Sequence, residues 1–332
     1  MQDMAKLLTH LTSGWQGEAL NGGGMIRVLN RSGRKPPLIW CFNSAHEFPT
    51  MAQGLGSDQP LIGLRSLHMV TPIGPNRFSE DEQTADLYMD LLLSSGLDLT
   101  GCAIGGNCQG GGIAAPLATR LLHSGVNVRT LIIMETQLPS PFPEHVGFVY
   151  GDRSEMFNPY LRGEDIEPKW NRLCRRWNAE IIPGAHGEYF TAENTRTTCA
   201  AIERLIQKGH QSNELPVDRC VEMRTATDLP GCVPAGVPLQ IEFAPNPDCS
   251  STSEDDPLAL HYYWVSKSSG LLEAPEALVF PTRNSNESAI TLALCSPEVA
   301  GEWNLRMFLC RLNSGPVAWR YFDQKRFAIS VQ

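Results

Sequence analysis

The chain has 332 residues, of which 42% are hydrophobic and 19% are charged, as in a globular protein rather than a disordered one. Its net charge of −9 argues against nucleic acid, which needs a basic face, and against anionic membrane surfaces. No run reaches the roughly 18 apolar residues of a membrane span, and residues 1–15 lack the apolar core of a secretory signal. A cytoplasmic protein without a membrane partner is expected.

The first two thirds of the chain alternate between predicted strands and predicted helices. Short continuous apolar runs bounded by turn residues are typical of buried parallel strands, and apolar residues on one face indicate helices. The predicted strands are 38–42, 61–64, 102–104, 130–134, 146–150 and 179–182, and the predicted helices are 79–94, 113–122 and 193–207. This alternation predicts an α/β fold built on a doubly wound parallel sheet.

The composition changes near residue 210. Residues 210–236 are polar and contain three prolines, which predicts a linker after a first domain over 1–209. Beyond it, strands are predicted at 239–243, 258–265, 289–294, 303–311 and 327–331. Short strands separated by turn-rich segments predict a β-sandwich over residues 237–332.

A glycine-rich segment, Gly105-Gly106-Asn107-Cys108-Gln109-Gly110-Gly111-Gly112, joins one predicted strand to the helix that follows it. It has the pattern of a nucleophile elbow, G-x-S-x-G, with cysteine in place of serine. The glycines suit a turn in which the nucleophile is strained and strand and helix lie close together. Cys108 is therefore the candidate nucleophile for acyl transfer, and a buried structural thiol is the alternative.

The ten cysteines are scattered and contain no C-x-x-C pair. Zinc sites need paired spacing, and disulfides are rare in cytoplasmic chains of this size. Neither a metal nor a cofactor is expected.

A cysteine nucleophile needs a base, and the base needs an orienting acid. Glu135 and His186 each follow a predicted strand, and α/β sheets carry their active sites at the carboxyl ends of strands. His186 is the predicted base and Glu135 the predicted acid. Asp152 and Glu155, which follow the next strand, remain alternatives for the acid.

Other histidines also lie in the first predicted domain. His46 follows the first predicted strand closely and is a candidate for contact with substrate, whereas His123 and His145 are predicted to be surface residues.

Four segments in this order resemble the type I and type II thioesterases of nonribosomal peptide and polyketide synthases: PPLIWCFNSA, GGNCQGG, LIIMETQLP and IIPGAHGEYF. The resemblance covers residues 36–208, roughly half of the chain. It implies an α/β-hydrolase fold, an oxyanion hole formed by the backbone N–H groups of Gln109 and Ala45, and an acyl or peptidyl carrier protein that presents the substrate on a phosphopantetheine arm.

The chain departs from that family in three ways. Cysteine replaces serine, glutamate replaces aspartate, and His186 follows Glu135 by only 51 positions, in an interval where the family usually inserts a helical lid. A strand is already predicted inside this interval, so a reduced or absent lid is expected.

The segments LALHYYWVSKSSG, GEWNLRMFLCR and GPVAWRYFDQKRFAISV resemble the C-terminal immunoglobulin-like domains of some bacterial polysaccharide-pathway proteins. The resemblance implies an immunoglobulin-like sandwich with a possible sugar or protein ligand. The alternative is that Trp264, Trp303 and Trp319 only pack between two sheets.

These features predict a thioesterase-like acyl transfer from a carrier-protein thioester through an acyl group bound to Cys108, with release by hydrolysis, aminolysis or cyclisation in natural-product biosynthesis. One alternative is a cysteine hydrolase that resembles dienelactone hydrolase and acts on free esters. The other is a catalytically inactive hydrolase-fold module whose β-sandwich does the binding.

Overall fold

The computed structural model describes residues 2–20, 23–71, 77–138, 141–211, 221–222, 231–245, 258–266, 276–279, 290–311, 315–316 and 327–332. The chain divides into two compact units. One contains Met1–Pro72, Asp81–Trp170 and Arg176–Glu214, and the other contains Ile73–Glu80, Asn171–Arg175 and Leu215–Gln332.

The chain up to Gln211 is mixed α/β. Its helices are α1 (Gln2–Thr12), α2 (Glu47–Leu55), α3 (Arg77–Leu93), α4 (Gln109–His123), α5 (Glu167–Leu173) and α6 (Thr195–Gln211). Its strands are β1 (Glu18–Leu20), β2 (Ile26–Leu29), β3 (Leu38–Phe42), β4 (Leu61–Arg65), β5 (Cys102–Asn107), β6 (Val128–Met134), β7 (Phe142–Gly151) and β8 (Cys174–Ile182). None of the described helices is long and apolar enough to span a bilayer.

The eight strands form one sheet in the order β1-β2-β4-β3-β5-β6-β7-β8. Strands β3 to β7 pair with one another in parallel, whereas β2 is antiparallel to both β1 and β4. Every residue of β3, β4 and β5 is buried, as expected for the middle of a parallel sheet covered on both faces. The predicted α/β architecture with a large central sheet is confirmed.

Several elements differ from their predicted bounds. Helices α1 and α2 and strands β1 and β2 were not predicted. For the two strands, three and four residues carry too little periodicity to identify. Helix α3 begins at Arg77, two residues before its predicted start. Strand β8 begins at residue 174 rather than 179. Its first residues were not predicted because this last strand of the sheet is mostly half-buried and carries polar residues.

Between Glu135 and His186, the described residues contain β7, the seven-residue helix α5 and β8. The reduced or absent lid stays a prediction, as do the domain bounds. Helix α6 continues through Gln211, two residues past the predicted end of the first domain.

The described part of the chain beyond residue 220 is built from β-strands. They are β9 (Val221–Glu222), β10 (Cys232–Val233), β11 (Leu239–Pro245), β12 (Leu258–Ser266), β13 (Glu276–Val279), β14 (Ile290–Leu294), β15 (Gly301–Arg311), β16 (Gly315–Pro316) and β17 (Phe327–Val331). One sheet has the order β10-β17-β15-β12-β13, with β16 paired to β15, and the other has the order β14-β11-β9.

Two of the three tryptophans singled out from the sequence are buried in this region. The indole N–H of Trp264 donates to the Cys295 carbonyl at 2.8 Å, and that of Trp303 donates to the Val299 carbonyl at 3.1 Å. Trp319 lies outside the described residues. The immunoglobulin-like sandwich and its sugar or protein ligand stay predictions.

Candidate active site

Cys108 lies at a sharp turn between β5 and α4. Its backbone has φ 48° and ψ −117°, a region that a residue with a side chain adopts only under strain. The Cys108 N–H donates to the Met134 carbonyl at 2.8 Å, and its carbonyl accepts from Gly111 and Gly112 at 3.1 and 3.3 Å. These bonds hold the half-buried thiol between the end of the strand and the start of the helix.

Two glycines of the elbow are required by close backbone contact. A Cβ on Gly106 would lie 2.3 Å from the Gly110 carbonyl carbon, and a Cβ on Gly110 would lie 2.0 Å from the Cys41 carbonyl oxygen. Neither contact could be relieved by rotating a side chain, because both partners are backbone atoms.

Glu135 is the first residue after β6 and is almost fully buried, with 1% of its surface exposed. Its Oε2 lies 2.5 Å from His186 Nδ1, and its Oε1 accepts from the Gly151 N–H at 3.3 Å. Its backbone also has positive φ, at 53°. Both carboxylate oxygens are thus engaged, and one of them fixes the orientation of the imidazole.

The His186 ring has a second contact. The Phe157 ring stacks on it with 4.6 Å between centroids and 27° between planes. This aromatic contact and the carboxylate together restrict rotation of a side chain that is otherwise 45% exposed.

One cavity of about 350 Å³ brings these groups together. Cys108, Glu135 and His186 all line it. The other lining residues are Asn43, Ser44, Glu47, Arg65, His68, Met69, Asn107, Gly187 and Tyr189. The arrangement can support proton transfer and nucleophilic attack within one pocket.

The two predicted oxyanion residues have different surroundings. Gln109 is the first residue of α4, where backbone N–H groups have no carbonyl partner within the helix. Its side chain is buried and donates to Asp81 Oδ1 at 3.1 Å. Ala45 is exposed in the turn before α2, and its neighbours Asn43 and Ser44 line the cavity. Both assignments stay predictions.

The two alternative acids are exposed and lie in the turns after β7. Asp152 Oδ1 accepts from the Gly184 N–H at 2.9 Å, so this carboxylate shapes the backbone of the histidine loop. The Glu155 carbonyl accepts from Arg162 Nη1 at 2.8 Å. The structure places Glu135, rather than Asp152, against the ring nitrogen of His186.

Sequence reasoning missed Asn43 as part of the site. Its Nδ2 donates to the Asn107 carbonyl at 2.7 Å, and its Oδ1 accepts from Ser66 Oγ at 2.7 Å and from Gly110 N at 3.2 Å. This one amide connects the end of β3 to the elbow. Its place directly after β3, in the segment FNSA, was the available signal.

Tyr189, three residues after His186, is a second residue that was missed. It is 2% exposed and lines the cavity. Burial and the neighbouring Glu135 carboxylate raise the pKa of its phenol well above the usual range, so the ring stays neutral beside the acid.

Two buried charges also line the cavity. Arg65 Nη1 donates to the carbonyls of Phe42 and Ser66 at 3.2 and 2.8 Å, and burial lowers the pKa of its guanidinium. Glu47 Oε2 accepts from the Asn43 N–H at 3.0 Å. These bonds fix the ends of β3 and β4 around the pocket.

The other histidines lie apart from His186. His46 is exposed, with Nδ1 3.0 Å from the Oγ of Ser44, which lines the cavity, and its substrate role stays a prediction. The prediction that His145 is a surface residue is wrong. It is 3% exposed in β7, a strand inside the sheet, and its Nε2 lies 3.1 Å from Asn178 Oδ1. The side chain of His123 lies outside the described atoms.

Within the described ranges, no group of three His, Cys, Asp or Glu side chains is placed to hold a metal ion.

No protein-family model matches the chain, and no curated protein matches it. Solved structures similar to it include the NocB thioesterase domain in covalent complex with a fluorophosphonate nocardicin G analogue. That domain is 18% identical, with 55% of this chain and 99% of that chain covered and a TM-score of 0.43.

Two further structures show a similar extent of likeness. The Vlm2 thioesterase domain with a bound dodecadepsipeptide is 16% identical over 54% of this chain and 98% of that one, with a TM-score of 0.41. YbtT, the type II thioesterase from the yersiniabactin NRPS/PKS pathway, is 15% identical over 53% of this chain and 96% of that one, with a TM-score of 0.41. These identities and TM-scores are too low to establish a family or an activity for this chain.

Proposed function

We propose that the protein is a cysteine-dependent acyltransferase or thioesterase of the α/β-hydrolase type. The observation that supports this most directly is the arrangement of Cys108, His186 and Glu135. The thiol occupies a strained turn and lines the same cavity as an imidazole whose far nitrogen is bonded to a buried carboxylate.

The first step is activation of the thiol. With Nδ1–H donating to Glu135, Nε2 of His186 carries the lone pair and accepts the proton of Cys108 Sγ. The Glu135 carboxylate stabilises the resulting imidazolium, as in other nucleophile–histidine–acid sets.

The second step transfers the acyl group to the enzyme. Cys108 Sγ attacks the thioester carbonyl, and the N–H groups of Gln109 and Ala45 stabilise the oxyanion. The C–S bond to the leaving thiol breaks as His186 returns its proton to that sulfur. The acyl group is then bound to Cys108, and the protonated thiol of the donor leaves.

The third step releases the acyl group. His186 Nε2 takes a proton from water, an amine or a hydroxyl group, which attacks the Cys108 thioester, and then returns that proton to Sγ. Because the acyl group has moved from the thioester of the donor to a thioester on Cys108, little free energy is lost and the acyl group stays activated. A cysteine therefore favours transfer to an amine or cyclisation alongside hydrolysis.

The proposed acyl donor is a thioester on the phosphopantetheine arm of an acyl or peptidyl carrier protein in natural-product biosynthesis. The four sequence segments that resemble synthase thioesterases support this donor. The side-chain amide of Asn43, in the segment PPLIWCFNSA, bonds to the backbone of Asn107 and Gly110, in the segment GGNCQGG. This amide holds the two segments together.

Thiol labelling tests the nucleophile within one experiment. Iodoacetamide at neutral pH is expected to alkylate Cys108 much faster than the exposed thiols of Cys232 and Cys295, because an activated cysteine has more thiolate. Burial raises the pKa of Cys102 and Cys199 to about 12, so these two serve as unreactive references.

The acyl adduct tests the reaction itself. Incubation with acyl-carrier thioesters, followed by peptide mass spectrometry, is expected to show an acyl group on Cys108 in the wild type and none in Cys108→Ala. Labelling of Cys108 at the rate of Cys232, together with the lack of an adduct, would favour the inactive binding module.

A further inference from the structure

A second cavity lies beside the catalytic one. Most of its lining residues belong to the segment between β7 and α5. It has a volume of about 180 Å³. Three aromatic side chains form part of its wall, namely Tyr150, Phe157 and Trp170. Tyr150 and Trp170 are buried, with 2% and 3% of their surface exposed, so their rings are fixed in place.

Phe157 lies between the second cavity and the catalytic histidine. The ring that lines the second cavity also stacks on His186. Thr136, another lining residue, directly follows Glu135, and its Cγ2 would lie 2.5 Å from a Cβ placed on Gly111 of the elbow helix. The second cavity is therefore next to the catalytic histidine and to the first turn of α4.

The size of the cavity suits one ring. A cavity of roughly 150 Å³ with apolar walls holds benzene, and this one is slightly larger. Aromatic walls favour a planar aromatic guest over a flexible alkyl chain, because rings stack or meet edge to face and lose little conformational entropy.

The charges at the rim restrict the guest further. Arg162 Nε lies 2.5 Å from Glu164 Oε1, so these two charges compensate each other. The Lys169 ammonium lies 4.8 Å from the centroid of the Trp170 ring, which leaves the rim positive. A neutral or anionic ring is favoured over a cationic one.

We propose that this cavity binds a planar aromatic group of the acyl substrate, with Phe157 separating that group from the imidazole of His186. The inference rests on the proposed function, and it assigns the substrate class of the same site.

The test compares two small thioesters, 5-phenylpentanoyl- and nonanoyl-N-acetylcysteamine, as donors for acylation of Cys108, because their carbonyl groups are alike and a linker lets the ring reach past Phe157. The wild type is expected to prefer the 5-phenylpentanoyl donor by about tenfold in kcat/KM, from aromatic contacts alone. Met156→Trp should block the cavity, because Met156 is 79% exposed and lines it, so a larger ring there does not strain the core.

Met156→Trp is expected to lose most of the preference for the phenyl donor while it keeps its rate with the nonanoyl donor. Ile181→Trp is the matched control, because Ile181 is 51% exposed in β8 and does not line the cavity. A wild type without a preference for the phenyl donor, or a Met156→Trp variant that retains it, overturns the proposal.

Direct binding separates this proposal from the proposed function. ¹⁹F NMR of 4-fluorobenzamide with the Cys108→Ala variant should show line broadening that disappears when Met156→Trp is added. If neither thioester acylates Cys108, the proposed function fails and this measurement alone decides whether the cavity binds a ring. Broadening that Met156→Trp removes supports the cavity, and its absence overturns it.

Discussion

At the scale of single residues, Glu135 and Asp152 differ in what their carboxylates contact. Glu135 Oε2 is 2.5 Å from His186 Nδ1, whereas Asp152 Oδ1 accepts from a backbone N–H of the histidine loop. The first contact can stabilise a charged imidazolium, and the second needs only an oxygen acceptor. In the proposed mechanism the charge of Glu135 is therefore required, and that of Asp152 is not.

Glu135→Gln is expected to lower the rate of Cys108 acylation by about 10²–10⁴, since a neutral amide no longer stabilises the imidazolium or enforces its tautomer. Asp152→Asn should keep most of the activity, because the asparagine oxygen can still accept from Gly184. Initial rates with an acyl thioester measure both variants. An unimpaired Glu135→Gln enzyme would reject Glu135 as the acid and return the choice to Asp152 or Glu155.

At the scale of elements, the elbow depends on the distance between the α4 backbone and β3. Gly110 approaches Cys41 so closely that an added Cβ would lie 2.0 Å from the carbonyl oxygen. Adding that atom must move the start of α4, which carries the thiol and the Gln109 N–H.

Gly110→Ala is expected to destabilise the protein by about 1–3 kcal/mol through overpacking and to slow alkylation of Cys108. Gly14→Ala is the matched control, because a Cβ there meets no atom within 4 Å. Thermal unfolding and iodoacetamide labelling report the two effects. If Gly110→Ala matched Gly14→Ala in both, the close approach would not be needed for the site.

The strands that are completely buried were the easiest to predict from the sequence. Strand β3 is buried at every position, so its sequence is a continuous apolar run that is easily identified. Strand β8 ends the sheet and contains two arginines, so only its last residues were recognised.

Part of the candidate site could also be predicted from the sequence. The sequence places Cys108, Glu135 and His186 after strands, and the structure brings them into one cavity. Asn43 and Phe157 could not be assigned their contacts in the same way. Their contacts join segments 64 and 29 residues apart, and no local pattern encodes those distances.

At the scale of the whole molecule, His145 links stability to pH. Burial lowers its pKa from 6.5 to about 4, since the charged imidazole would be desolvated inside the sheet and close to the cations of Arg176 and Lys208. The unfolded chain binds a proton below about pH 6.5 that the folded protein does not bind. The stabilisation from neutral His145 is therefore complete above that pH and is lost as the pH falls towards 4.

The free energy of unfolding should fall by up to about 3 kcal/mol across this window because of His145 alone. Urea titrations between pH 7.5 and 4.5 measure it. His145→Gln is expected to flatten this dependence, whereas His10→Gln, a change at an exposed residue of α1, should leave it intact. An equal slope in the wild type and His145→Gln would contradict the assignment.

The pairing of β5 with β6 has a consequence for how this protein can change over evolution. Asn107 lies opposite Met134 in the parallel ladder, so Cys108 and Glu135 are the next residues of two strands in register, and the Cys108 N–H is bonded to Met134. Inserting or deleting one residue in either strand would turn one of these side chains to the opposite face of the sheet. Lineages of this protein can therefore vary the loops between these strands in length, but we expect strands β5 and β6 to accept substitutions and no change of length.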